Sequence, residues 1–313
     1  MALENPHGLA LECGENHWTY KELDSVVEER TSQLTTLGAG PGINVLLASE
    51  VNVEAVEMVH SVFRAGSTLV PVNPRLGLAD GVLDQANPQI ILVSKSLEKQ
   101  FNPFLRNYED RSESLIPSES MGIWVSKNPS EFKDGQGDRS ANFPAALLWT
   151  SGTEGRPKTI PITHDALEHS AFAIKSRLGL GEADRWYASL SLGHVGGLAL
   201  VHRAAWAGST LLVDQGFSTE ILIEMIEERR VSHTSVVPTM LHGLIRVRGN
   251  KKVPAALQAI VVGGAPLDKS LLEKALSLGY PIVSTYGMTE TCSQISTATV
   301  DLVKQKPGTV GTP

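Results

Sequence analysis

The chain alternates short apolar runs with stretches whose apolar residues recur at helical spacing. Thr19-Tyr20-Lys21-Glu22 has the S/T-x-x-E form of a capping box, and Leu23, Val26, Val27 and Leu34 follow on one face, which predicts a helix from about Tyr20 to Leu37. Ile43 to Ala48 then reads as a strand, Val53 to Arg64 as an amphipathic helix, and Ser67 to Val72 as a second strand ending in Pro-Val-Asn-Pro. Repeated strand–helix–strand units predict an α/β fold with mostly parallel sheets. Ile90 to Val93 is a further strand. From about Lys95 to Ser140 the pattern turns polar and irregular, and this segment is expected to be a solvated connector between subdomains. No fixed period repeats along the chain.

In the second half, Ala145 to Trp149 reads as a buried strand, and Thr163 can cap a helix through Ala166, Leu167 and Ile174. Asp165 and Glu168 sit in its first turn, where the helix dipole favours negative charge. Trp186 to Leu192 leads into Gly193-His194-Val195-Gly196-Gly197, a small-residue helix and a strand from Thr210 to Val213. Ser218 to Arg230 is predicted helical, with Ile221, Leu222, Met225 and Ile226 on one face and Glu224, Glu227 and Glu228 on the other. Val231 to Val237 is the strand it feeds. Ile260 to Val262 is a buried strand ending in Gly263-Gly264-Ala265-Pro266-Leu267, followed by a helix from about Asp268 to Leu278 that closes at Gly279. A last strand runs from about Ile282 into Tyr286-Gly287. Met225 and Met240 are read as packing residues.

Composition narrows the picture. At 313 residues the chain can bury a sizeable core and form two subdomains, and 42% hydrophobic with 19% charged residues describes a globular protein. A net charge of -7 without a block of Lys or Arg argues against a nucleic-acid partner and against an anionic membrane surface. The cysteines, Cys13 and Cys292, have neither disulfide-framework nor zinc-ligand spacing, and a reducing cytoplasm fits. No run approaches the roughly 20 apolar residues that span a bilayer, and the start lacks the form of a signal peptide.

Three constellations carry chemistry. The first is Leu147 to His164, LLWTSGTEGRPKTIPITH. After a buried strand, Gly152 and Gly155 let backbone N–H groups approach an anion, Thr150, Ser151 and Thr153 add hydroxyl donors, and Lys158 adds a compact positive charge. The spacing excludes a Walker A loop, whose lysine directly follows its second glycine; Lys158 stands three places beyond Gly155. A plain surface turn is the alternative. The second is His194, at a strand-to-helix junction of the kind that opens onto the ligand crevice of an α/β sheet, with a structural histidine as the alternative. The third is Ser284-Thr285-Tyr286-Gly287-Met288-Thr289-Glu290-Thr291 at a strand's carboxyl end. Its ring can stack on a base, its hydroxyl can donate to a phosphate, and its carboxylate can hold a divalent cation.

In order, these motifs resemble those of the adenylate-forming superfamily, which includes acyl-CoA synthetases. The loop follows the pattern [ST]-S-G-[ST]-[ST]-G-x-P-K-[GA] with two departures, Glu154 and Thr159, and YGMTE follows Y-G-x-T-E without one. WTYKELD, AGSTLVPVNPRL and VPTML are similar to further landmarks. The resemblance implies that Thr150, Ser151, Gly152, Thr153, Gly155, Lys158, Gly264, Ala265, Tyr286, Gly287 and Thr289 bind ATP, that Glu290 holds Mg²⁺, and that coenzyme A is a co-substrate. It further implies that His194, Gly197, Arg203 and Ser293 line the site of a small-molecule carboxylic acid, with His194, Thr289 and Lys158 catalytic. HVGGLALVHRAAWAG and YGMTETCSQ are closest to the o-succinylbenzoate-CoA ligase branch of menaquinone biosynthesis, where Arg203 would meet a dicarboxylate. Other acyl- or aryl-CoA synthetases, or a non-catalytic nucleotide-binding module, stay open as alternatives.

The implied architecture is two stacked α/β subdomains, residues 1–143 with the polar connector and residues 144–300 with the phosphate loop and YGMTE. Residues 301–313, with KPGTVGTP, are similar to the start of the family's β-barrel subdomain. The family's remaining barrel and mobile C-terminal domain are not located in this chain, so it is expected to be a truncated and poorly active form. A homodimer is left open.

Overall fold

The computed structural model describes residues 3–75, 82–112, 120–127, 144–150 and 158–313. The elements run β1 (Leu9–Cys13), β2 (Asn16–Thr19), α1 (Tyr20–Thr36), β3 (Asn44–Ala48), α2 (Val53–Arg64), β4 (Thr68–Val72), α3 (Val82–Ala86) and β5 (Ile90–Ser94). Next come α4 (Glu98–Phe101), β6 (Tyr108–Asp110), β7 (Met121–Ser126), β8 (Pro144–Thr150), β9 (Lys158–Thr163), α5 (His164–Leu178), β10 (Arg185–Tyr187) and α6 (Val195–Ala207). The rest are β11 (Thr210–Leu212), α7 (Thr219–Glu227), β12 (His233–Val236), α8 (Pro238–Arg248), β13 (Ala259–Val262), α9 (Lys269–Ser277), β14 (Ile282–Met288), β15 (Ser293–Ala298) and α10 (Val300–Gln305).

These elements form two compact units, each around one sheet. The unit comprising Lys21–Leu167 and Ser191–Leu198 holds a seven-stranded sheet in the order β6-β7-β5-β3-β4-β8-β9. Its centre is parallel: β3 pairs with both β4 and β5, and β4 with β8. Because β3, β4 and β5 are apolar almost throughout, both faces are buried, as a central parallel sheet requires. Leu46, Val70, Val72, Ile91 and Val93 pack with Phe101 and Trp124 in one core cluster. Asn52 starts α2, its Oδ1 accepting from Ala55 N at 2.8 Å.

The unit comprising Met1–Tyr20, Glu168–Leu190 and Ala199–Pro313 holds an eight-stranded sheet in the order β15-β14-β13-β12-β10-β11-β1-β2. Only the outer pairs, β14 with β15 and β1 with β2, are antiparallel. Leu222, Met225 and Ile226 of α7 pack with Leu241 and Leu244 of α8 over Ile260 and Ile282. Met225 is therefore a packing residue as expected, and Met240 is packed against the same cluster. Ser218 and Asp268 cap α7 and α9 through their side-chain oxygens.

Four features differ from the expectations. The polar connector contributes β6 and β7, which extend the first sheet antiparallel to β5, and buries Phe101, Leu105, Met121, Ile123 and Trp124. Those few apolar residues were diluted by their charged neighbours in sequence, but they suffice for an edge. Lys158 opens a strand the pattern did not predict, β9, which pairs with β8 and carries Pro161, tolerated because β9 is the sheet's edge; the helix expected from Thr163 follows it. The division at residue 143 does not hold either. Strands β8 and β9 complete the sheet of the preceding residues, whereas β1 and β2 join the sheet of the later ones. Finally, residues 301–313 bring no barrel strand of their own; α10 is followed by one antiparallel bridge, Thr312 to Thr297. Among the described residues, no helix is long and apolar enough to cross a membrane.

Helix α2 also holds two groups with opposed titration. Burial pushes His60 down from its ordinary 6.5 to about 4, with Arg64 adding to the effect. Burial pushes Glu57 up to about 7, against the pull of Arg30, whose Nε lies 3.6 Å from Oε2. A histidine with a depressed folded pKa contributes stability that is complete above the unfolded value and lost as pH falls toward about 4. A carboxyl with a raised folded pKa contributes stability below its unfolded value that is lost as pH rises through about 7. We therefore expect His60→Gln to make the acid-side fall in urea stability between pH 6.5 and 4.5 shallower, by up to about 1.4 kcal/mol per pH unit, the limit for one proton. Parallel curves for the variant and the wild type would contradict this.

Candidate functional site

In the seven-stranded unit, β8 ends at Thr150 and β9 begins at Lys158, and the two residues face each other in register. The loop residues Ser151, Gly152, Thr153 and Gly155, together with Glu154, lie outside the described residues. What the structure does place is the loop's two ends: a half-buried threonine and an exposed lysine at one end of an antiparallel pair. Thr159, beside the lysine, donates from Oγ1 to Gln85 Oε1 at 3.0 Å.

His194 belongs to the same unit and stands one residue before α6, where its carbonyl accepts from Gly197 N and Leu198 N at 3.0 and 3.1 Å. Gly193 explains how the ring is placed. A Cβ there would lie 2.4 Å from the backbone nitrogen of Asn73 and 2.7 Å from Val72 C, so only glycine allows this approach to the end of β4. Asn73 Nδ2 then lies 3.1 Å from His194 Nε2, and Asn73 Oδ1 accepts from Arg75 N at 3.0 Å. The second bond fixes the amide's orientation, so Nδ2 must donate to Nε2 and the imidazole carries its proton on Nδ1. Desolvation lowers the pKa of His194, which keeps this neutral form. The exposed ring thus offers one donor, Nδ1–H. Asn73 is a functional candidate that the sequence reading passed over, although it lies in the quoted VPVNP.

In the eight-stranded unit, β13 and β14 are parallel neighbours, with Val262 opposite Ser284. Their carboxyl ends deliver Gly264 and Ala265, both exposed, beside Tyr286, which is 54% exposed despite its large ring. An exposed aromatic at a parallel strand's carboxyl end is where an open α/β sheet receives a ligand. After Met288, a 3-10 turn over Thr289–Thr291 carries the exposed carboxylate of Glu290. The turn is closed by Cys292 N donating to Thr289 O at 3.0 Å and by Thr291 Oγ1 donating to Met288 O at 3.0 Å. Two non-glycine residues follow with positive φ, Cys292 at 52° and Ser293 at 92°. A Cβ on Gly287 would meet Ser293 O at 1.8 Å, so glycine is obligatory where the strand bulges.

Arg203, on α6, is only 3% exposed. Its Nη2 donates to Ser170 Oγ at 3.3 Å, its Nε has no partner, and among the described residues no carboxylate lies within ion-pair range. Desolvation pulls its pKa down to about 10. Arg203 is therefore not an ordinary helix-surface arginine but a buried cation with a donor to spare. The structure thus gathers Gly264, Ala265, Tyr286, Gly287, Thr289, Glu290 and Ser293 around adjoining strand ends in one unit. In the other unit it gathers Thr150 with Lys158, and Gly197 with His194. For Mg²⁺ the donor set fits in one respect: Glu290 supplies a single exposed carboxylate, and Mg²⁺ is commonly held by one or two carboxylates plus substrate phosphates. No cluster of three metal-ligating side chains occurs among the described residues.

The doubly layered α/β units, with polar groups presented at parallel strand ends, have the architecture of the N-terminal portion of adenylate-forming enzymes. The chain belongs to the AMP-binding enzyme family, whose model matches residues 2–313. It is 30% identical to a 2-succinylbenzoate–CoA ligase of Bacillus pumilus, over 100% of this chain and 62% of the relative, and 29% identical to that of Bacillus subtilis, over 98% and 61%. Among solved structures, the o-succinylbenzoate CoA synthetase of Bacillus subtilis matches over 100% of this chain with 28% identity. A double mutant bound with a product analogue gives a TM-score of 0.84 over 62% of that chain, and the complex with ATP and magnesium ion gives 0.82 over 63%. The chain therefore spans about three fifths of the relatives it matches. The family resemblance and fold class read from the sequence are borne out.

Replacing Gly193 with Ala should force the β4 end and the start of α6 apart. We expect a loss of about 1–3 kcal/mol in urea unfolding, the range for overpacking a close contact, with loss of the His194–Asn73 bond visible as a rise in the His194 pKa by NMR. An unchanged midpoint and titration would show that the close approach is not needed.

Proposed function

We propose that this chain is the acid- and nucleotide-binding part of an AMP-forming acid–CoA ligase, and that its acid is an aromatic dicarboxylate of the o-succinylbenzoate type. The observation that carries the choice of acid is Arg203. A guanidinium taken out of water without a carboxylate partner is costly, and a ligand's own carboxylate is the group that would offset that cost. The similarity to ligases named for 2-succinylbenzoate supports the same choice.

In the reaction, the carboxylate oxygen of the acid forms a bond to the α-phosphorus of ATP while the bond to the β-phosphate oxygen breaks, releasing pyrophosphate. The thiol sulfur of CoA then attacks the acyl carbon of the adenylate, loses its proton, and expels AMP. Here the protein's work is to position groups and stabilise charge. Tyr286 stacks on adenine beside the backbone of Gly264 and Ala265, with Gly287 giving the phosphates room. The Thr289 hydroxyl donates to the α-phosphate, and Thr150, Lys158 and the loop residues Ser151, Gly152, Thr153 and Gly155 hold the departing phosphates. His194, neutral and fixed by Asn73, donates Nδ1–H to a reacting oxygen, while Gly197 and Ser293 leave room for the acid. Glu290 would hold Mg²⁺, which when bound neutralises charge on the phosphates.

Titration calorimetry provides the test. Mg-ATP should bind the wild type, and Lys158→Ala should weaken it by about tenfold or more, the range for losing a charged hydrogen bond. Arg203→Gln should weaken o-succinylbenzoate by about 10- to 100-fold while leaving benzoate unchanged. If the wild type binds benzoates or fatty acids as tightly as o-succinylbenzoate, the acid is of another class. If Mg-ATP binds but no acid does, the chain acts as a nucleotide-binding module.

A further inference from the structure

In the eight-stranded unit, two hydrogen bonds between groups far apart in sequence lead into a third that closes a local turn. Arg203 Nη2 donates to Ser170 Oγ at 3.3 Å, and Ser170 Oγ in turn donates to the carbonyl of Cys292 at 2.9 Å. Cys292 N donates to Thr289 O at 3.0 Å. Ser170 lies on α5, half-buried, and its one hydroxyl serves as acceptor on one side and donor on the other, which uses its only proton.

The carbonyl that Ser170 holds belongs to a strained turn. Cys292 and Ser293 both have positive φ without being glycine, at 52° and 92°. Such a conformation is costly for a residue with a Cβ and persists only where surrounding contacts impose it. Thr291 Oγ1 supplies one such contact within the turn, to Met288 O and Ser293 O. Ser170 supplies another from a separate helix. Arg203, for its part, is nearly fully buried and its Nε has no partner among the described residues, so an anion reaching it would reset the geometry of the same guanidinium that Ser170 contacts.

We propose that Ser170 is a positioning residue that ties the acid-binding guanidinium of Arg203 to the turn presenting Thr289 and Glu290, so that filling the acid site steadies the nucleotide-binding turn. The inference rests on the acid and nucleotide roles proposed above. Binding of the two ligands is then coupled, and the coupling is reciprocal: each tightens the other by the same factor.

The test has one arm with ligands and one without. In the ligand-free arm, alkylation of Cys292 by iodoacetamide is followed by peptide mass. Ser170→Ala should speed it by about fivefold, the effect of losing roughly one hydrogen bond that holds the turn shut, and Ser170→Thr, which keeps the hydroxyl, should restore the wild-type rate. In the ligand arm, the Kd for Mg-ATP is measured with and without saturating o-succinylbenzoate. The wild-type ratio should be at least about fivefold, and it should fall to about one in Ser170→Ala and return in Ser170→Thr, with thermal unfolding confirming that each variant is folded. A wild-type ratio of one, or a Ser170→Ala protein that keeps both the wild-type ratio and the wild-type alkylation rate, overturns the proposal. Should the wild type bind neither ligand, the proposed function fails, and an unchanged alkylation rate would then separately show that Ser170 does not hold the turn.

Discussion

A guanidinium buried on α6, with no carboxylate beside it among the described residues, is the constraint from which the rest of the site's electrostatics can be followed. Desolvation alone would make Arg203 a liability, and its lowered pKa records that cost. Protein interiors accept such a charge when hydrogen bonds or a counter-ion compensate it. Here the neighbouring hydroxyl of Ser170 compensates one nitrogen, and Nε is left over. The fold therefore leaves this buried charge without a counter-ion among the described residues, about two and a half helical turns after His194.

A second constraint is backbone proximity. Gly193 brings the residue before α6 against the end of β4, and that approach places the Asn73 amide on the imidazole. The Arg75 N–H holds the amide the right way round, so a main-chain contact decides which histidine nitrogen carries the proton. Gly287 plays a comparable part on β14, where the Ser293 carbonyl occupies the space a side chain would need. At both places the backbone's close approach decides where the candidate side chains are held.

The central architecture was legible because it is written in apolar runs. Strands β3, β4, β5 and β13 are near-continuous hydrophobic stretches, and α2, α7 and α9 carry capping residues that the structure uses, Asn52, Ser218 and Asp268. The edges were not legible. Strands β6, β7, β9 and β15 are short, mixed or proline-bearing, and an edge strand needs only half the hydrophobic pattern of a central one. Among candidate site residues, Lys158, His194, Tyr286, Thr289 and Glu290 stood out because their types are chemically eloquent within ordered motifs. Asn73 and Ser170 are ordinary polar residues on other elements, and nothing local marks them.

The sequence by itself determined the class of fold, the motifs and the family to which the chain belongs, since these depend on residue type at short range. Tertiary structure alone decided that Arg203 is buried with no carboxylate partner among the described residues, that His194 is neutral with its proton on Nδ1, and that β1 and β2 join the later sheet while β8 and β9 join the earlier one. The reason is physical. Burial, tautomer and strand partnership are properties of neighbours brought together from distant parts of the chain, and a linear pattern carries no record of which neighbours those will be.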